Sequence, residues 1–165
     1  MPARELIEVS ANWFESYVKK TADDATSTFD LLVPSRTQDL FRIEHPALQR
    51  HPTSHLWRFK PSALVIETNA ETSHSYFHVL VVVSDSISLK DVGELNCYAR
   101  IAKAKTGCLI SPKGISNEVR LVQADLSVRN RLFVPHEGGK LFLVQWDEDK
   151  KSVITDSVIP IEVSM

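Results

Sequence analysis

His78-Val79-Leu80-Val81-Val82-Val83 is the most hydrophobic run of the chain. Its short length and β-branched content suit a strand buried on both faces. Extended back to Tyr76, it forms one of two apolar runs. The other is Ala63-Leu64-Val65-Ile66, and the polar segment Glu67–Ser75 separates them. That pattern predicts two central strands joined as a hairpin. Downstream, Ser88 stands three residues before Asp91, and Val92, Leu95, Ala99 and Ala102 follow at helical spacing. A hydroxyl cap and an acid in that relation predict a helix from about 89 to 105, stopped by Gly107. Cys108-Leu109-Ile110 then reads as a short strand, and Ser111-Pro112-Lys113-Gly114 as a turn.

Outward from this centre, Leu6, Ile7, Trp13, Phe14, Tyr17 and Val18 predict a first helix over 3–20. Phe29 to Val33, ending at Pro34, predicts a short strand. Residues 39–60 carry Pro46 and Pro52 and lose all periodicity, which predicts a long loop ending in a strand near Leu56–Phe59. A third helix is expected over 116–124. Leu132–Val134, Leu141–Trp146 and Val153–Ile161 then read as a C-terminal β meander. The fold class is therefore α/β, a mixed central sheet flanked by helices. With 165 residues and 43% hydrophobic content, the chain suits one domain over 1–165.

No charged segment followed by an apolar stretch opens the chain, and no apolar run approaches the thickness of a bilayer, so the expectation is a cytoplasmic protein. The two cysteines, Cys97 and Cys108, lie in apolar sequence and read as buried reduced thiols. His45, His51 and His55 sit in the proline-containing segment, and His74 and His78 are four apart; all read as solvated rather than as metal ligands. Trp13, Trp57 and Trp146 read as core or interface anchors. Gly138-Gly139 reads as a turn. The glycine signatures of nucleotide-binding loops and of hydrolase elbows are absent from the sequence.

The order strand, long strand, helix, strand across 61–112 resembles the core of the PD-(D/E)XK nuclease superfamily, including its archaeal Holliday-junction-resolvase-like members. The closest local match is Ser86 to Leu95, then Tyr98 to Ala104, then Leu109 to Gly114. The resemblance implies a restriction-endonuclease-like core and self-association as a homodimer. It also implies an aspartate after a proline at the start of the first strand and an acid-X-lysine triplet near the end of the second. The matching positions here are Ser62, after Pro61, and Val82 and Ser84. Acids at these places would hold Mg²⁺, and a lysine would position the attacking water, which serine and valine cannot do. A catalytically inactive, nuclease-like protein is the expectation, with no cofactor.

An alternative expectation is a Mg²⁺-dependent endonuclease whose catalytic groups have migrated to Asp85, Lys90 and Glu94, with Glu5, Glu8 or Glu15 of the first helix as a remote acid. Charge distribution points elsewhere. The net charge is −2, yet Arg100, Lys103, Lys105, Lys113, Arg120, Arg129 and Arg131 face only Glu118 and Asp125, while 137–162 is acidic. Those seven cations are the candidate contacts to nucleic-acid phosphates. The expected partners are thus another protein of a DNA-processing complex and DNA itself, with no membrane. A protein-interaction module that never touches nucleic acid is the third reading.

Overall fold

A computed structural model of the chain describes residues 3–22, 26–34, 43–53 and 60–160. The expected strand at Leu56–Phe59, with His55 and Trp57, lies outside the described residues. The elements follow in the order α1 (Ala3–Thr21), β1 (Thr28–Leu32), α2 (Pro46–Arg50), β2 (Ala63–Thr68), β3 (Ser75–Val82), α3 (Leu89–Ala102), β4 (Thr106–Ser111), α4 (Asn117–Ala124), α5 (Leu126–Phe133), β5 (Lys140–Asp147) and β6 (Ser152–Ile159). The strands form one six-stranded mixed sheet in sequence order. β1, β2 and β3 are antiparallel, β4 and β5 run parallel to β3, and β6 returns antiparallel to β5.

Strand periodicity divides the core into two layers. Ala63, Val65, Leu80, Cys108 and Phe142 pack beneath α1, together with its Phe14, Tyr17 and Val18. Leu64, Ile66, Val79, Leu109 and Leu141 face the opposite side, where Val92, Leu95 and Ala99 of α3 and Phe133 of α5 cover them. Phe14 is fully buried, and burying one such side chain contributes about 1.5–3 kcal/mol. The middle strands are therefore covered on both faces, which is why β3 reads as unbroken hydrophobic sequence.

Local chemistry sets the element ends. The Ser88 hydroxyl accepts from Asp91 N while the Asp91 carboxylate accepts from Ser88 N, the capping box that the sequence predicts at the start of α3. α3 ends earlier than expected, at Lys103 in the left-handed region (φ 51°). Gly107 does not stop the helix; it sits in β4, where a Cβ would lie 2.5 Å from a Leu141 methyl. Two further expectations are corrected. The proline-containing segment holds the short helix α2, started by Pro46 at its first turn and by the His45 ring accepting from Ala47 N. Leu132–Val134 is not a strand: Leu132 and Phe133 close α5, whose own start is capped by the Asp125 carboxylate, so the C-terminal strands are the pair β5 and β6.

Candidate functional site

Two of the three positions singled out in the sequence, Ser62 and Val82, are hydrogen-bonded neighbours. Ser62 stands just before β2 and Val82 at the end of β3, and Val82 N donates to the Ser62 hydroxyl oxygen at 2.8 Å. Ser62 N in turn donates to Leu80 O at 2.8 Å. The Ser62 side chain thus completes the β2–β3 ladder. Val82 offers no donor atom, and Ser84 lies exposed beyond the strand. A hydroxyl already engaged by a backbone N–H and an aliphatic side chain do not fit Mg²⁺, which takes several hard oxygen ligands.

Of the migrated candidates, Asp85 lines a recess with Val82 and Ser84, whereas Lys90 and Glu94 do not line it. Asp85 is exposed and paired with Lys113 at 2.6 Å, whose ammonium holds its carboxyl below the usual range. Lys90 is exposed on α3. Glu94 lines a small cavity of about 180 Å³ with Lys60, Asp91 and Tyr98, over a floor of Val81, Val83 and Leu109. Burial, with the Glu94 carboxylate, pushes the Tyr98 phenol up. On α1, Glu8 pairs with Arg4, Glu15 with Lys19 and Glu5 with Lys151. Among the described residues, no group of three His, Cys, Asp or Glu side chains could hold a metal ion.

The seven cations separate. Arg100 donates through Nε to Asn96 Oδ1 at 2.9 Å, and the Asn96 amide donates to the carbonyls of Arg131 and Leu132, so Arg100 and Arg131 are tied into one group across α3 and α5. Lys103 follows at the end of α3 and is exposed. Arg129 is half-buried on α5, and Arg120 on α4 donates to Ile115 O at 3.4 Å. Lys113 lies at the far end of β4, beside Asp85. Lys105 is drawn to a different neighbour altogether.

That neighbour was not anticipated from the sequence. Glu67, 2% exposed, and His78, 3% exposed, meet on the α1 face of β2 and β3, where His78 Nε2 donates to Glu67 Oε2 at 3.0 Å. Lys105 Nζ reaches the same oxygen at 3.4 Å and lies 4.8 Å from the centre of the Tyr76 ring. The His78 hydrogen bond and the Lys105 charge hold the Glu67 carboxyl below its ordinary range against the opposing effect of burial. Burial pushes His78 down despite Glu67, so the ring is neutral with its hydrogen on Nε2. His78 Nδ1 and the Tyr17 hydroxyl are buried without a hydrogen-bond partner among the described residues. The expectation that the histidines are solvated is thus corrected at His78. His45, half-buried, faces Asp30 at 3.3 Å. Cys97 is exposed, correcting its reading as a buried thiol, whereas Cys108 is buried.

No helix among the described residues is long and apolar enough to cross a membrane. Neither a protein-family model nor a curated protein matches this chain.

Proposed function

We propose that the chain is a nuclease-like domain that acts by binding rather than by cleaving, and that its partner is nucleic acid within a DNA-processing complex. The observation that carries the reading is the Ser62–Val82 hydrogen bond, which occupies the place where metal-holding carboxylates would converge with a strand-closing contact. Phosphate contact falls to Arg100, Lys103 and Arg131. Arg100 keeps guanidinium N–H groups beyond the one given to Asn96, and the Asn96 bridge fixes its spacing from the α5 terminus.

The test combines DNA retention with cleavage. Branched and duplex DNA should bind with an affinity that falls as salt rises, and the double variant Arg100→Glu, Arg131→Glu should flatten the log–log salt slope by about 2. Neither Mg²⁺ nor Mn²⁺ should produce cleavage. Metal-dependent cutting abolished by Glu94→Ala would replace this reading with the migrated-site one, which the shared cavity of Asp91, Glu94 and Lys60 favours. Absence of DNA retention would leave the protein-interaction reading, which the exposed Leu121 of α4 and Leu126 of α5 favour.

A further inference from the structure

At the end of the sheet opposite Ser62 and Val82, four stretches of chain enclose a cleft of about 670 Å³. They are the segment after α2, the start of β3, the α3–β4 connection and the turn before β5. Its size falls within the usual range for small-ligand sites of about 300–1,000 Å³. Lys103 and Lys105 line it, and an adjoining recess that shares His51, Pro52 and His74 adds Arg50. Glu137 is the only carboxylate among the described residues that line the cleft.

The cations differ in how they are held. Lys105 is fixed from below: Glu67 holds its ammonium, and the Tyr76 ring lies beneath the same group at 4.8 Å. Fixing a long side chain in advance reduces the entropy lost on binding. Its charge is offset by Glu67, so the excess positive charge comes from Lys103 and Arg50. Lys103 is exposed and forms no ion pair among the described residues. Arg50 donates through Nε to Pro46 O, which leaves its terminal guanidinium nitrogens.

Apolar and planar groups line the rest. Tyr76 is 37% exposed, an unusual degree for a large ring on a central strand, and the His74 ring meets its edge at 4.7 Å with an interplanar angle of 64°. Pro52 and Phe77 continue the wall. Cations and rings are interleaved here, Lys105 over the Tyr76 ring and Arg50 in one recess with His74, which matches a ligand that carries both an anionic group and a flat aromatic group. A bare inorganic anion would leave the rings unused, and an apolar ligand would leave the cations unused.

We propose that this cleft binds a nucleoside phosphate, with Lys103, Lys105 and Arg50 on the phosphate and Tyr76 and His74 against the base. The ligand is either a free nucleotide or the phosphorylated end of a nucleic-acid strand. The cleft shares Lys103 with the duplex contact but includes neither Arg100 nor Arg131, and it does not rest on that contact.

Calorimetry on the full chain tests the assignment with AMP, UMP, their nucleosides, inorganic phosphate, and a short oligonucleotide with and without a 5′-phosphate. At least one phosphorylated probe should saturate below about 1 mM, with nucleosides and inorganic phosphate about tenfold weaker or more. Tyr76→Ala, Arg50→Gln and Lys103→Gln should each weaken binding about tenfold, while Lys151→Gln, an exposed cation paired with Glu5 outside the cleft, should leave it unchanged. These side chains are exposed, and unchanged melting of the variants separates lost binding from lost folding. Tighter binding of the 5′-phosphorylated oligonucleotide than of AMP or UMP assigns the strand end; equal or weaker binding assigns the free nucleotide. No saturation by any phosphorylated probe, or saturation that all three cleft variants leave intact, overturns the proposal.

Discussion

His78 donates to Glu67 across the β2–β3 hairpin at 3.0 Å, and both side chains are almost wholly withdrawn from water. Both groups hold pKa values below their ordinary ones, His78 below 6.5 and Glu67 below 4.5. In each case the unfolded chain takes up a proton at a higher pH than the folded one, so stability rises with pH through both ranges. Unfolding midpoints in urea should therefore begin to fall as pH drops below about 6.5, as the unfolded histidine protonates first, and fall further below about 4.5 through Glu67. His78→Gln, which preserves a donor toward Glu67, should flatten the upper part of this slope. An unchanged slope would show that the pair does not govern acid stability.

A methyl group at Gly107 has to displace the end of the Leu141 side chain within the core. A Cβ there would lie 2.5 Å from Leu141 Cδ2 and 3.3 Å from a Leu95 methyl, with β4 pinned between parallel neighbours. Gly107→Ala is expected to cost about 1–3 kcal/mol by denaturant unfolding. In a Leu141→Ala background, itself costly through the cavity it leaves, Gly107→Ala should cost less than in the parent chain, because the nearest atom is gone.

Tyr17 should be more useful to the fold as phenylalanine. Its ring packs on Phe142 at 4.9 Å, but its hydroxyl is buried without a partner among the described residues, and burial pushes its pKa up to about 12. Tyr17→Phe keeps the packing and removes the desolvated group. Stability should rise by about 1 kcal/mol, read from the urea midpoint. A loss of similar size would mean that the hydroxyl has a partner in solution.

Ser88→Ala should cost about 1 kcal/mol, because it removes the oxygen that accepts from Asp91 N at the start of α3. Ser88→Asp should restore most of the stability, since an aspartate caps equally well and suits the positive end of the helix dipole. Equal stability of the alanine and aspartate variants would remove the cap from the account of α3.

Sequence alone revealed those elements in which one residue pattern had one physical meaning. The 3.6-residue spacing of α1, the paired apolar runs of β2 and β3, and the Ser88–Asp91 box are of this kind. α2 escaped because five residues are too few for periodicity, and its capping group is a histidine ring rather than a hydroxyl or carboxylate. α5 escaped because Leu132-Phe133-Val134 is too short an apolar run to distinguish a strand from the last turn of a helix. That Ser62 and Val82 lie side by side follows from the β2–β3 hairpin the sequence predicts. Glu67, His78 and Lys105 were not legible as a group. Their meeting depends on the β2–β3 register, which sets Glu67 opposite Tyr76 and His78 one pleat further on, and on the parallel register that brings Thr106 beside His78. Neither register is written in any one segment.

β4 has a parallel partner on each side, His78–Val82 before it in the chain and Lys140–Gln145 after it. Parallel neighbours cannot be joined by a tight turn, so each pairing closes only after its crossover, α3 on one side and α4 with α5 on the other, has spanned the sheet. The loop-closure entropy of both crossovers falls before most of the core is sealed, whereas the β2–β3 hairpin needs only its own short turn. β4 is therefore held entirely by pairings between residues far apart in sequence, the kind whose loop-closure cost must be met before the contacts form.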